Sequence, residues 1–329
     1  MQGIIKIKLS RALKIWLVVS CLLPMLAKAD DKTAMEWIQA MSDAMRHLNY
    51  RGHFVYLHDH QLESMLISHI KTEQGEKEQL LSLNGEARKI IRDDKNLICI
   101  WPNSRKVMVD FSRRHTYSPL LVPQNVEKIS QLYDLELSGT DRIGGQQTVV
   151  VQIKPKDQYR YGLKLWINVE NALLMKSHLI NEHDKIVEQV MFTNLELLSS
   201  ADQVEFSDLS NIDENYTLIR HSDSHSKQTA QQTAWRMNTM LAGFSQKSIL
   251  KRLDPASKQF IHQMVYTDGL ATLSIFIEKQ ASQLKHGKSS MGAVNAFIRI
   301  MGDYSVTAIG EVPAVTVQSM AESVFYQQP

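Results

Sequence analysis

Cysteine is nearly missing from this sequence: among 329 residues only Cys21 and Cys99 carry a thiol. Cys21 lies inside an apolar N-terminal stretch. That leaves Cys99 alone over the rest of the chain, and a lone thiol closes no internal disulfide. Its setting, NLICIW (96–101), is that of a small buried hydrophobe, not of an activated nucleophile in an electropositive surround. Long apolar runs are missing too. The segment IWLVVSCLLPML (15–26) falls well short of the roughly 20 residues that cross a bilayer as a helix. Catalytic signatures are absent: there is no G-x-S-x-G elbow, no H-E-x-x-H helix and no G-x-G-x-x-G after a strand. Gly287-Lys288-Ser289 copies the end of a phosphate loop, but Ser282 stands where that loop needs its first glycine, and a strand pattern follows instead of a helix. His58-Asp59-His60 offers two imidazoles, yet in a hairpin turn, where solvated polar residues belong. His221 and His225 lie in a polar stretch, and Asp93-Asp94 reads as a turn. Paired carboxylates serve as acid and base only in an enclosing pocket, which no pattern here supplies. The expectation is a protein that is not an enzyme, with no cofactor and no metal.

What is present begins with a leader. MQGIIKIKLSRALK (1–14) carries Lys6, Lys8, Arg11 and Lys14 and no acid, the apolar run follows, and Ala27-Lys28-Ala29 closes it with an A-x-A pattern. This is the order of a secretory signal peptide, 1–29, cleaved after Ala29. A lipid-anchor site at Cys21 would leave too short an apolar region. Removing the leader and its five basic residues turns the formal charge of +2 into −3. The basic excess that nucleic-acid binding requires disappears with it.

The mature chain opens with a helix over 33–48, in which Ala34, Trp37, Met41, Met45 and Leu48 recur at spacings of three and four. A meander of strands follows. Asp59-His60, Asn84-Gly85, Pro102-Asn103-Ser104, Gly144-Gly145 and Glu170-Asn171 mark its turns. So many antiparallel strands must curl to bury one face, with the helix over the concave side. Residues 112–124 are looser and 126–133 read as a short helix. The stretch 207–233, rich in Ser, Asp, Asn, Gln and His, reads as a linker, with a strand at 216–220 beginning the next unit. Strands at 249–253, 260–267 and 270–278 then build a small α+β domain, joined by a hairpin turning at Gly302-Asp303 and a final helix opened by Pro313. The expected organisation is 30–206 for the large β domain, 207–233 for the linker and 234–329 for the small domain. In the hairpin MVYTDGLATLSIFIEKQ (264–280), Asp268-Gly269 supplies the turn.

Five stretches carry a family resemblance. LNYRGHFVY (48–56) with LES (62–64) and LNGEAR (83–88) resembles the opening of the MucB/RseB proteins. VYTDGL (265–270) sits where that family has its Y-S-D-G-L signature, and IGEVP (309–313) matches the stretch before its last helix. The resemblance runs in order over nearly the whole mature chain. It departs in the last helix, where Ala314, Gln318 and Ser319 replace the second proline and basic residues usual there.

The resemblance implies a mainly β protein: a large LolA/LolB-like unclosed antiparallel barrel covered by helices, plus a small C-terminal α+β domain. It implies a periplasmic negative regulator of the envelope-stress response. Such a protein binds the periplasmic region of an RseA/MucA-type anti-sigma factor, protects it from proteolysis, and is released by lipopolysaccharide or another acylated ligand. It leaves a homodimer open. A periplasmic lipid or lipoprotein carrier of the LolA/LolB type is the alternative. An acyl-accommodating concavity would draw on Trp37, Met41, Phe54, Tyr56, Met65, Ile67, Trp101, Met108, Trp166, Met175 and Met191, since methionine and aromatic side chains adapt to irregular apolar ligands.

Overall fold

A computed structural model describes residues 32–327 of the chain, apart from 74, 94–95, 111–119, 121–122, 124, 201–203, 205, 207–214, 222–232, 254–257 and 280–284. The leader, most of the looser stretch at 112–124 and most of the proposed linker therefore lie outside the described residues. Helix α1 (Ala34–His47) buries Ala34, Trp37, Ile38, Met41, Ala44 and Met45, the stripe that its periodicity marks. Eleven strands follow in two runs. The first holds β1 (Tyr50–His58), β2 (Gln61–Thr72), β3 (Gly75–Ser82), β4 (Lys89–Asp93), β5 (Leu97–Trp101) and β6 (Lys106–Asp110). After the one-turn helix α2 (Val126–Ser130) come β7 (Tyr133–Ile143), β8 (Gln146–Pro155), β9 (Gly162–Asn168), β10 (Leu174–Ile180) and β11 (Ile186–Leu197).

With β12 (Thr217–His221) these strands make one sheet of twelve, in the order β12-β6-β5-β4-β3-β2-β1-β11-β10-β9-β8-β7. The order is open: β1 pairs with β11 and closes the meander on itself in sequence, while β7 and β12 remain as edges. The turn residues act as their chemistry requires. Asp59 and His60 both adopt left-handed φ (44° and 61°), the pattern of a type I′ hairpin. Gly52 serves close approach instead. A Cβ there would lie 2.8 Å from the Asn194 carbonyl oxygen, beside the irregularity where the β1–β11 register shifts between His53 and Phe54.

Strand β12 (Thr217–His221) departs from expectation. The strand at 216–220 exists, but it does not begin the next unit; it pairs in parallel with β6 and extends the large sheet. Parallel pairing joins segments far apart in sequence, so no local turn announces it.

The second sheet has six strands. They are β14 (Ser245–Leu253), β15 (Phe260–Thr267), β16 (Thr272–Lys279), β17 (Gly287–Met291), β18 (Val294–Met301) and β19 (Tyr304–Gly310), in the order β14-β15-β16-β19-β18-β17. The hairpin 264–280 thus supplies β15 and the central strand β16. Leu273, Ile275 and Ile277 of β16 are buried, while Thr272, Ser274 and Phe276 between them are only partly covered. Helix α3 (Ala314–Glu322) packs on this sheet through Val317, Met320 and Ala321. A two-stranded ribbon of β13 (Trp235–Met237) and β20 (Val324–Tyr326) completes the region. The architecture is mainly β with α: an unclosed antiparallel barrel-like sheet with helices over it, and a smaller α+β part.

Candidate functional site

In paired strands, cross-strand partners share a face. Phe54 pairs with Met65, Gly52 with Ile67 and Tyr56 with Glu63. Ile67 pairs onward with Leu80, Leu80 with Ile90, Ile90 with Cys99, and Cys99 with Met108. This face carries one continuous apolar core with Trp37, Ile38, Met41 and Met45 of α1. Of the eleven cavity candidates, Trp37, Met41, Phe54, Met65 and Ile67 are buried here, and Tyr56, Trp101 and Met108 are partly buried at its margin. Phe54 and Phe192 meet as a tilted pair, with ring centroids 5.4 Å apart and ring planes 53° apart. Met175 is buried at the β9–β10 irregularity. Trp166 and Met191 face the other way. Val55 pairs with Met191, Met191 with Lys176, and Lys176 with Trp166, so both follow Val55 and oppose Phe54. Alternation left the choice of face open; register turns these two away from Phe54, although Trp166 is buried and belongs to the same apolar cluster, against which Met191 packs. Trp166 instead donates its Nε1–H to Asp141 Oδ2 at 2.9 Å and lies 4.5 Å beneath the Lys176 ammonium.

One end of the concave face opens into a cleft of about 320 Å³, walled by Glu63, Ser82, Asn84, Arg88 and Trp101 among others. Arg88 Nη2 donates to Glu63 Oε2 at 2.9 Å, and His58 Nε2 lies 3.2 Å from Glu63 Oε1. His58, one of the two imidazoles in the first turn, is thus engaged by a carboxylate and stacks on Tyr56.

The other feature of the site is the seam between the sheets, which the sequence reading missed. Three consecutive residues before β9 each bond across it. The Tyr159 carbonyl accepts from Thr316 Oγ1 at 2.7 Å, and the Tyr161 hydroxyl accepts from Asn295 Nδ2 at 2.8 Å. Arg160, fully buried, reaches Asp268 Oδ2 through Nη1 at 3.3 Å, the Ala242 carbonyl through Nη2 at 2.6 Å and Asp157 Oδ1 through Nε at 3.1 Å. Its guanidinium lies 5.3 Å from the Phe244 ring centroid. Tyr133 donates its hydroxyl to Asp268 Oδ2 at 3.0 Å, while Asp268 Oδ1 accepts from the amides of Leu270 and Ala271. Every oxygen of the buried carboxylate is satisfied, which is what makes such a charge tolerable. The only available signal was an arginine between two tyrosines and an aspartate inside the family signature.

Carboxylates also meet at this seam. Burial pushes the Glu311 carboxyl up to about 7, and the nearby Glu188 charge adds to the rise. Glu188 is itself raised by burial, against the lowering effects of the Tyr56 hydroxyl and His58. A folded-state pKa above the unfolded value of about 4.3 means that ionisation opposes folding, so stability is lost as pH climbs from about 4.5 through 7. The Glu311 side chain still reaches solvent, which reduces the effect. Glu311→Gln is expected to raise the urea midpoint relative to the parent at pH 8 and to leave it unchanged at pH 4. Equal shifts at both pH values would mean that the carboxyl titrates normally.

Comparison with known proteins gives a consistent picture. The family model described as the MucB/RseB N-terminal domain matches residues 33–210, and that of the MucB/RseB C-terminal domain matches 229–325. The chain is 26% identical over 313 residues to the sigma-E factor regulatory protein RseB of Haemophilus influenzae, covering 94% of this chain and 97% of that protein. It is 27% identical over 302 residues to the sigma factor AlgU regulatory protein MucB of Pseudomonas aeruginosa, covering 88% and 90%. Its fold matches that of the Pseudomonas aeruginosa MucA/MucB complex structure with a TM-score of 0.71 at 24% identity, over 90% of this chain and 99% of that one.

Proposed function

Because the chain belongs to the MucB/RseB family, we propose that it is a periplasmic negative regulator of the envelope-stress response. It binds the periplasmic region of an RseA/MucA-type anti-sigma factor, protects that region from proteolysis, and lets go when lipopolysaccharide or another acylated molecule binds. The observation that carries this reading is the match of both family models in order along the chain, together with relatives named as sigma-factor regulators. MucB itself has been solved with the periplasmic part of MucA. The signal peptide 1–29 delivers the chain to the periplasm, and the working divisions are 30–206, 207–233 and 234–329. The concave core provides apolar surface for acyl chains, worth about 0.8 kcal/mol per buried CH₂. If lipid and anti-sigma segment favour different arrangements, each weakens the other by the same free energy.

A capture experiment tests this. The mature protein should retain an immobilised anti-sigma periplasmic segment, slow its cleavage by the first protease of the cascade, and release it when an acylated glycolipid is added. Failure to retain the segment, with lipoproteins instead released from inner-membrane vesicles as soluble complexes, would establish the LolA/LolB-type carrier.

A further inference from the structure

The turn between β15 and β16 belongs by sequence to the six-stranded sheet but packs against the large one. Leu270 lies against the concave core, and Gly269 faces Ile129 of α2, with a Cβ position 3.5 Å from Ile129 Cγ2. Next along the chain from α2, Leu132 fills the space where Gly243 has no side chain; a Cβ there would sit 2.4 Å from Leu132 Cδ1. Tyr133 then reaches Asp268. α2 also joins the concave core through Val126 and the same Ile129, and α1 is tied to the segment before α2 by Ser42 Oγ donating to the Pro123 carbonyl at 2.9 Å. A helix of one turn has little stability of its own, so its position follows its neighbours. Close-packed groups pass a displacement on and do not absorb it.

We propose that residues 126–133 are a coupling element, through which a change in the filling of the concave core moves the Asp268–Gly269–Leu270 turn and so loosens or tightens the six-stranded sheet against the large one. This extends the regulator reading by giving a path between its two binding events. Its test needs neither lipid nor anti-sigma factor, so the two readings stand or fall separately.

The experiment is native-state hydrogen exchange on the full mature chain. Met41→Ala opens space under α1, and Met41→Val is the milder companion should the first fold poorly. Ile100→Ala, on the opposite face of the large sheet, is the control. The Met41 variants are expected to speed exchange of the amides at 268–271 by roughly tenfold relative to β18–β19, with no such relative change in the control. In Tyr133→Phe, where the hydroxyl tie to Asp268 is gone, the added effect of the Met41 change should fall below about threefold. Unchanged exchange at 268–271, an equal response in the Ile100 control, or full additivity with Tyr133→Phe would each overturn the proposal.

Discussion

Arg160→Met is expected to cost about 3–5 kcal/mol of stability, because it leaves the Asp268 carboxylate buried without its counter-charge. Both side chains are fully buried, so water cannot take over the lost partner. Asp268→Asn is the matching change on the other side. It keeps an oxygen for the Leu270 and Ala271 amides and so preserves the turn, but it takes from the guanidinium its fully buried counter-charge. The remaining acceptors of Arg160, the Ala242 carbonyl and Asp157, lie on both sides of the seam and hold it in place, with the partly exposed Asp157 carboxylate as the one counter-charge left to it among those described. The double variant Arg160→Met/Asp268→Asn should then be clearly more stable than the sum of the single losses, by at least about 1.5 kcal/mol, since it removes both charges at once. Urea unfolding of the four proteins gives the cycle. Additive losses would mean that the pair interacts little and that the seam rests on apolar packing around Phe244 and Leu270. The pair also explains the hairpin's chemistry. An Asp-Gly turn is ordinary at a hairpin, but an Asp with no exposed surface is not, and here the aspartate turns inward to meet Arg160 and Tyr133.

Local features of the fold were legible from sequence, because each depends on a few adjacent residues. The three-and-four spacing of Ala34, Trp37, Met41 and Met45 marks α1, and Asp59-His60, Asn84-Gly85 and Gly144-Gly145 each impose a turn by their backbone freedom. The family stretches marked the chain's kinship and the likeness of its last helix entry at Pro313. What escaped was non-local. Strand β12 finds its partner across about a hundred residues and in parallel, with no turn to signal it. The opposite facing of Trp166 and Met191 depends on register around an open sheet, which alternation cannot assign. Arg160 looked like any loop arginine, because its partners at 242 and 268 are brought to it only by the packing of one sheet on the other.

Phe54→Ala bears on the concave core itself. Phe54 is fully buried on the helix-facing side, against Phe192 and paired across strands with Met65. Truncation removes a whole ring from a close-packed site whose neighbours sit on a hydrogen-bonded sheet and cannot close the gap, so a loss of about 3–5 kcal/mol is expected. The cavity then becomes a test of the lipid proposal. A concave core suited to acyl chains should admit one where the ring was, and a ligand that binds only the folded state restores stability by RT ln(1 + [L]/Kd), about 2.7 kcal/mol at a hundredfold excess over Kd. Unfolding midpoints of Phe54→Ala are therefore expected to rise with added lauric acid below its micelle concentration, while Ile100→Ala, on the opposite face, shows no such recovery. If Phe54→Ala loses its stability and the fatty acid returns none of it, the concave core is a sealed structural core and the acyl chain must be received elsewhere on the molecule.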